Sequence, residues 1–264
     1  MSTAAVKLTP IQKEGLKDGQ EFFLRELDQA TIVKIPEGDF FFGNDSALAP
    51  AWERPLIEAK ENGYYIDRFE VSVEQYKKCQ ASNACPAISL ANTNEKESIH
   101  SLSWEEARSY CKWVGGDLPT EAQWEYAVRG RSSTLYPWGN DVYDDGKYLG
   151  TLHYLKESTV ASVRPELPST YSSSFGIENL HDSLSEWVLD SVELDKNQKI
   201  VPREYKELRL KSWVYQSPKS PHKVLKGANY QISFPHLQRA SYREAMKKKE
   251  RSNRVGFRCI NAQP

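Results

Sequence analysis

Four cysteines, five histidines and a few oxygen-bearing side chains are the residues of this 264-residue chain best able to do chemistry. Cys79 and Cys85 lie six residues apart across the polar segment Gln80 to Ala84, close enough for a small disulfide-closed loop if the backbone turns suitably. Cys111 falls in a stretch with helical spacing and Cys259 lies near the C-terminus, so a bridge between them would tie the two ends of a domain together. Four cysteines permit three complete pairings, and spacing alone does not choose among them. A zinc site is the weaker reading, because no CxxC or HExxH is present and His100, His153, His181, His222 and His236 are scattered.

The elements that must position these residues belong to a soluble-type globular chain. Seven Trp and fourteen Tyr supply bulky core material, and the length suits one large domain. The 35 basic and 36 acidic residues nearly cancel, whereas a dedicated nucleic-acid binder concentrates basic charge, so no nucleic-acid partner is expected. The one basic cluster, Lys247, Lys248, Lys249, Arg251 and Arg254, is relieved by Glu244 and Glu250 and reads as a solvated loop. No run of about 18 apolar residues exists, so no transmembrane segment is expected. Met1 to Asp18 lacks the unbroken apolar core of a signal peptide, which leaves a cytoplasmic protein or a mature form shown without its leader.

Residues 1–30 read as an extension or peripheral helix, and residues 31–264 as a single domain. Thr31 to Ile35 and Phe40 to Phe42 flank the turn Pro36 to Asp39 and predict a hairpin, and Tyr64 to Phe69 a further strand. Three capping boxes predict three helix starts: Ser72 with Gln75, Ser103 with Glu106 and Thr120 with Gln123. In the second helix Trp104, Ala107, Tyr110, Cys111 and Val114 form one apolar stripe, and Gly115 and Gly116 end it. From Pro137 to Ser174 periodicity is lost in a long loop. Short strands are predicted again at Ser185 to Leu189, Lys223 to Lys226 and Gly256 to Cys259.

Taken in order, SLSWEEARSYCKWVGGDLPTEAQWE at 101–125, YPWGN at 136–140, FGIENLHDSLSEW at 175–187, VLKGANY at 224–230 and VGFRC at 255–259 resemble the formylglycine-generating enzyme, or sulfatase-modifying factor, family. The resemblance runs from about Ile32 to Ile260. It implies an α+β fold, a variant of the C-type-lectin-like fold with little regular secondary structure. It also selects a disulfide, Cys111 to Cys259, leaving Cys79 and Cys85 as the second pair. Closing roughly 150 residues stabilises by about 4 to 5 kcal/mol on the chain-entropy account. Two disulfides favour an extracytoplasmic location, periplasmic, surface or secreted.

Active members of that family bind copper through two cysteines between a glycine motif and GFRC, because soft thiolates suit Cu(I) and can exchange with a substrate thiol. Here Gly227 to Gly256 contains no cysteine, and Ile232 and Pro235 stand about where the pair belongs. No copper and no formylglycine-generating oxidase activity are therefore expected. The resemblance further implies structural calcium held by the Asn179 side chain, the carbonyls of Asp182 and Leu184, and Glu186, an oxygen set suited to a hard cation. Asp182, Ser183 and Ser185 depart from the family's motif within that loop. Asn140, Asp141, Asp144 and Asp145 offer a lesser, second cation site. Tyr230, Phe234, His236 and Arg239 occupy the former catalytic stretch and are the candidate floor or rim of a residual groove.

The leading expectation is a noncatalytic protein- or peptide-binding or assembly module, with the loops 141–170 and 196–223 as contact surfaces. A divergent metal-dependent oxidoreductase or protein-modifying enzyme is the alternative. A calcium-dependent carbohydrate-binding module is a third reading, which the lack of an EPN or QPD motif disfavours.

Overall fold

The computed structural model describes residues 6–11, 19–47, 49–90, 94–144, 147–148, 172–181, 183–202, 220–232 and 234–263. In chain order the elements are β1 (Leu8–Ile11), β2 (Phe22–Arg25), β3 (Ala30–Ile35), β4 (Gly38–Phe42), β5 (Ile57–Glu61), β6 (Tyr64–Asp67), α1 (Val73–Ala81), α2 (Trp104–Trp113) and α3 (Glu121–Arg129). They continue with β7 (Tyr143–Asp144), β8 (Lys147–Tyr148), β9 (Ser185–Val192), β10 (His222–Lys226), β11 (Arg243–Lys247), β12 (Val255–Gly256) and β13 (Ile260–Ala262).

Two sheets organise the molecule. One is antiparallel with strand order β1-β2-β3-β6-β13, and the other runs β11-β10-β9-β12 with β12 parallel to β9. All eight residues of β9 are buried, and its alternating side chains feed two cores. Val188 and Val192 join Val224, α3 and the β3/β6 face in the first. Trp187 and Leu189 join Leu225, α1, α2 and Phe257 in the second. This is the period-two geometry of a strand covered on both faces.

All three helices start where capping boxes place them. Ser72, Ser103 and Thr120 each accept from the backbone amide three residues on, and Gln75, Glu106 and Gln123 each accept from the cap's own amide. Gly115, at φ +77, terminates α2, and Gly130, at φ +64, terminates α3. The Cys111–Cys259 disulfide then ties α2 to the chain just before β13, with the two Cα atoms 5.3 Å apart. Cys79–Cys85 closes the end of α1 onto the following loop.

Two local expectations are corrected. Residues 1–30 supply no helix among the described residues: β1 and β2 are strands, and β2 pairs with β3 through Phe22↔Val33 to Arg25↔Ala30. The cause lies far along the chain, because the buried Arg25 guanidinium pairs with Asp28 at 2.7 Å and with Asp67 of β6 at 2.8 Å, which an extended strand can reach. Nor do 31–35 and 40–42 form a hairpin. β3 pairs with β2 and β6, while β4 pairs with β5 in a separate two-stranded unit.

Candidate functional site

The former catalytic stretch begins where β10 ends. Gly227 adopts φ +75, and a Cβ there would meet the Leu180 carbonyl at 2.8 Å and the Trp124 ring at 3.1 Å, so glycine lets the backbone pass between α3 and the 175–187 segment. Asn229 anchors the next turn: its amide donates to Ser185 Oγ at 3.0 Å and its Oδ1 accepts from the Gln231 amide at 3.1 Å. The Tyr230 amide donates to the Ser183 carbonyl at 3.0 Å. Ile232 is buried, and its carbonyl accepts from the buried Gln238 amide at 3.0 Å. Pro235 opens a short 3-10 turn, Pro235–Leu237. About where the resemblance places the copper-binding pair, the chain thus has a buried isoleucine and an imino acid.

Arg239 turns inward. It holds Glu53 through Nε at 3.1 Å and Nη2 at 2.7 Å, and Ser241 Oγ donates to the same carboxylate at 2.6 Å. Arg243 likewise pairs with Glu121 at 2.9 Å, and Arg258 with Glu186 at 2.6 Å. These arginines bridge internal carboxylates, as buried charges must. What remains outward is aromatic. Phe234 is 61% exposed, its ring 5.8 Å from that of the exposed His236, and Tyr230 is half-buried. Of the four candidate groove residues, three therefore face outward and Arg239 does not.

Behind this stretch Tyr136 and Trp138 stack at 5.0 Å, and His181 sits edge-on to both Trp138 and Trp124. Burial first, then the charges of Lys226 and Arg258, push the His181 imidazole down to about 3, so it stays neutral at physiological pH. Among the tryptophans, Trp104, Trp124 and Trp187 are core, while Trp113 and Trp138 are half-buried. All four cysteines are consumed in the two disulfides, so no thiol is available to a metal or a substrate.

Of the expected calcium set, Asn179, Leu184 and Glu186 lie among the described residues. Asn179 is buried at φ +58 and its amide donates to Glu70 Oε2 at 3.4 Å, while the Leu184 amide donates to Glu70 Oε1 at 3.3 Å. Glu186 accepts from Trp124 Nε1 at 2.8 Å and from Arg258 through both oxygens. Asp182 lies outside the described residues, and so do Asp145, residues 149–170 of the contact loop 141–170 and residues 203–219 of the loop 196–223. Asn140 Oδ1 accepts from the Leu135 amide and the Asp141 carbonyl from Trp138 Nε1. Among the described residues no group of three His, Cys, Asp or Glu side chains converges as a metal site. The Glu186 carboxylate thus accepts three N–H donors, Trp124 Nε1–H and the Nε–H and one Nη2–H of Arg258.

Sequence reasoning missed Glu53 and Glu70, which organise the stretch from 50 and from 179–184. Neither carries a local motif; Arg239 lies 186 positions from Glu53 and Asn179 lies 109 from Glu70. The basic cluster also differs from a solvated loop in part: Lys248 pairs with Glu105 at 3.1 Å and Arg251 with Glu106 at 2.6 Å, both in the first turn of α2. A cleft of about 200 Å³ between β3, β6 and α1 is lined by none of the groove residues. Its acids Asp28 and Asp67 are already held by Arg25.

This architecture is the formylglycine-generating-enzyme-like variant of the C-type-lectin-like fold. The sulfatase-modifying factor enzyme 1-like domain family matches residues 21–263, and the chain belongs to that family. It is 25% identical to the formylglycine-generating enzyme of Mus musculus over 303 aligned residues, covering 89% of this chain and 76% of that protein. It is 27% identical over 187 residues to the inactive C-alpha-formylglycine-generating enzyme 2 of Bos taurus, covering 67% of this chain and 54% of the relative. Among solved structures, PvdO from Pseudomonas aeruginosa superposes with a TM-score of 0.68 at 19% identity, over 96% of this chain and all of that one, a likeness of fold. No helix among the described residues is long and apolar enough to cross a membrane.

Proposed function

We propose that this chain is a noncatalytic protein- or peptide-binding module, working outside the cytoplasm, that uses the outward face of the former catalytic stretch for recognition. The carrying observation is the fate of that stretch. It keeps its scaffold contacts through Gly227, Asn229, Gln238 and Arg239, has no thiol, and turns Phe234 to solvent at 61% exposure. A large exposed aromatic ring beside an exposed imidazole is the raw material of a binding hot spot. Two disulfides support the oxidising compartment.

The test pairs an affinity capture with a chemical assay. Wild-type protein and Phe234→Ala/His236→Ala are compared for retention of proteins from the native envelope fraction, with thermal unfolding as the folding control. The reading expects a partner held by wild type and lost by the folded double variant. A double variant that retains the same partners refutes the assignment to this face. Copper-dependent oxygen consumption with conversion of a cysteine peptide to an aldehyde refutes the noncatalytic reading itself.

A further inference from the structure

We infer that the outer edge of β5 is a dimerisation edge, on which a second copy of this chain pairs antiparallel about a two-fold axis at Ala59, with Glu58 of each copy opposite Lys60 of the other. None of these residues belongs to the former catalytic stretch, so the inference stands apart from the recognition face proposed above.

β4 and β5 form a two-stranded antiparallel unit in which Phe41 lies opposite Glu58 and Asp39 opposite Lys60. The β4 edge of that unit is occupied. The Phe41 amide donates to Ser133 Oγ at 2.9 Å and the Gly43 amide to Glu125 Oε1 at 2.8 Å, so this edge is spent on α3 and the turn that follows it.

The direction of the Phe41 amide fixes β5. Residues opposite one another in an antiparallel pair either exchange both hydrogen bonds or both point their backbone groups away. Phe41 points away from β5, so Glu58 points away from β4, and Lys60, two residues on, does the same. The Leu56 amide, on the same edge, is taken by Asp45 Oδ1 at 3.1 Å. Beyond it, the outward amides and carbonyls of Glu58 and Lys60 meet no hydrogen-bond partner among the described residues. Both side chains are exposed, as is Phe41 on the neighbouring strand.

Charge selects the strand that fits this edge. Side chains directly opposite across a strand pair are close enough that unlike charges attract and like charges repel. Were β5 to meet itself with Glu58 opposite Glu58, or with Lys60 opposite Lys60, like charges would face each other. The register between these sets Glu58 opposite Lys60 twice, by symmetry, and lets the outward groups of both residues make about four backbone hydrogen bonds. Neither side chain has an ion-pair partner within its own chain among the described residues, so both are available. Ala59, at the axis, packs against the first core and puts no bulk between the copies. Across the joined sheet Asp39 and Lys60 of one copy then line up with Glu58 and Phe41 of the other. Charges on an edge strand guard against indiscriminate pairing, and this alternation guards against every self-register but one. The open stretch is short, which places the dimer among the weak, concentration-dependent ones.

The experiment is sedimentation equilibrium of the full chain at low salt, over a concentration series reaching the millimolar range, with Glu58→Lys, Lys60→Glu and an equimolar mixture of the two variants. Both positions are exposed, and thermal unfolding serves as the folding control. Wild type is expected to dimerise reversibly. Each variant alone is expected to dimerise about tenfold more weakly or worse, because two like-charged pairs replace two unlike ones. The mixture is expected to recover wild-type association as a heterodimer, one copy supplying two lysines and the other two glutamates. Amide exchange at Glu58 and Lys60 is expected to slow as wild type dimerises. Wild type that stays monomeric throughout, leaving the edge to another protein or to solvent, overturns the proposal. So does a dimer whose association neither variant weakens, a mixture that fails to recover, or a dimer in which those two amides still exchange freely.

Discussion

Glu61 closes β5 in the first core, 2% exposed, facing Asp190 with Tyr64 and Tyr126 nearby. Burial first, and the Asp190 charge second, raise its carboxyl from 4.5 to about 7. The folded chain therefore holds this proton more tightly than the unfolded chain does. Stability from Glu61 is fully present below pH 4.5, declines as pH rises, and is lost once pH passes about 7. At about 1.4 kcal/mol per pKa unit, ionised Glu61 costs about 3 kcal/mol at alkaline pH. Glu61→Gln mimics the protonated acid at every pH. It should match wild type near pH 4 and exceed it by about 3 kcal/mol above pH 8, or about 6–12 °C in Tm for a domain of this size. Urea unfolding of both proteins across that range checks it. A gap between variant and wild type that stays constant with pH, or that shrinks as pH rises, refutes the assignment of a raised carboxyl to Glu61.

Other outcomes follow from the framework. Replacing Cys111 and Cys259 by Ala should cost about 4–5 kcal/mol because the pair closes 148 residues, against about 2 kcal/mol for the Cys79–Cys85 pair, as read by urea midpoints under oxidising conditions. Ser103→Ala removes the cap that accepts from the Glu106 amide and should cost about 1 kcal/mol, with the loss visible in circular dichroism as fraying of α2. Phe234→Ala should change stability by less than about 0.5 kcal/mol, since its ring is mostly in solvent, so any loss of binding it causes is a loss of contact rather than of fold.

The sequence was most legible where its signals were local. Ser72, Ser103 and Thr120 announce their helices within four residues, and the helices begin there because a cap acts on the amides of its own first turn. It was least legible where a residue's state depends on distant partners. Phe22 to Arg25 carries helix-compatible spacing, yet becomes a strand because β3 lies beside it and Asp67 waits for Arg25. The β3–β4 turn looks like a hairpin locally, but β6 competes successfully for β3. At the site, the absent thiols and the positions of Asn179 and Glu186 could be read from motif order. That Arg258 would pair with Glu186, or that Glu53 would turn Arg239 away from solvent, could not, because those contacts join residues 72 and 186 positions apart.

The segment from Val255 to Ala262 completes both sheets, β12 beside β9 and β13 beside β6, with Arg258 and Cys259 locked between them. The β13–β6 pairing, Ile260 with Ile66, is a long-range contact of the kind that slows folding. The same arrangement makes the last strands the point at which a premature stop would do the most harm, since a truncated chain would leave β6 and β9 with bare edges open to pairing with other chains.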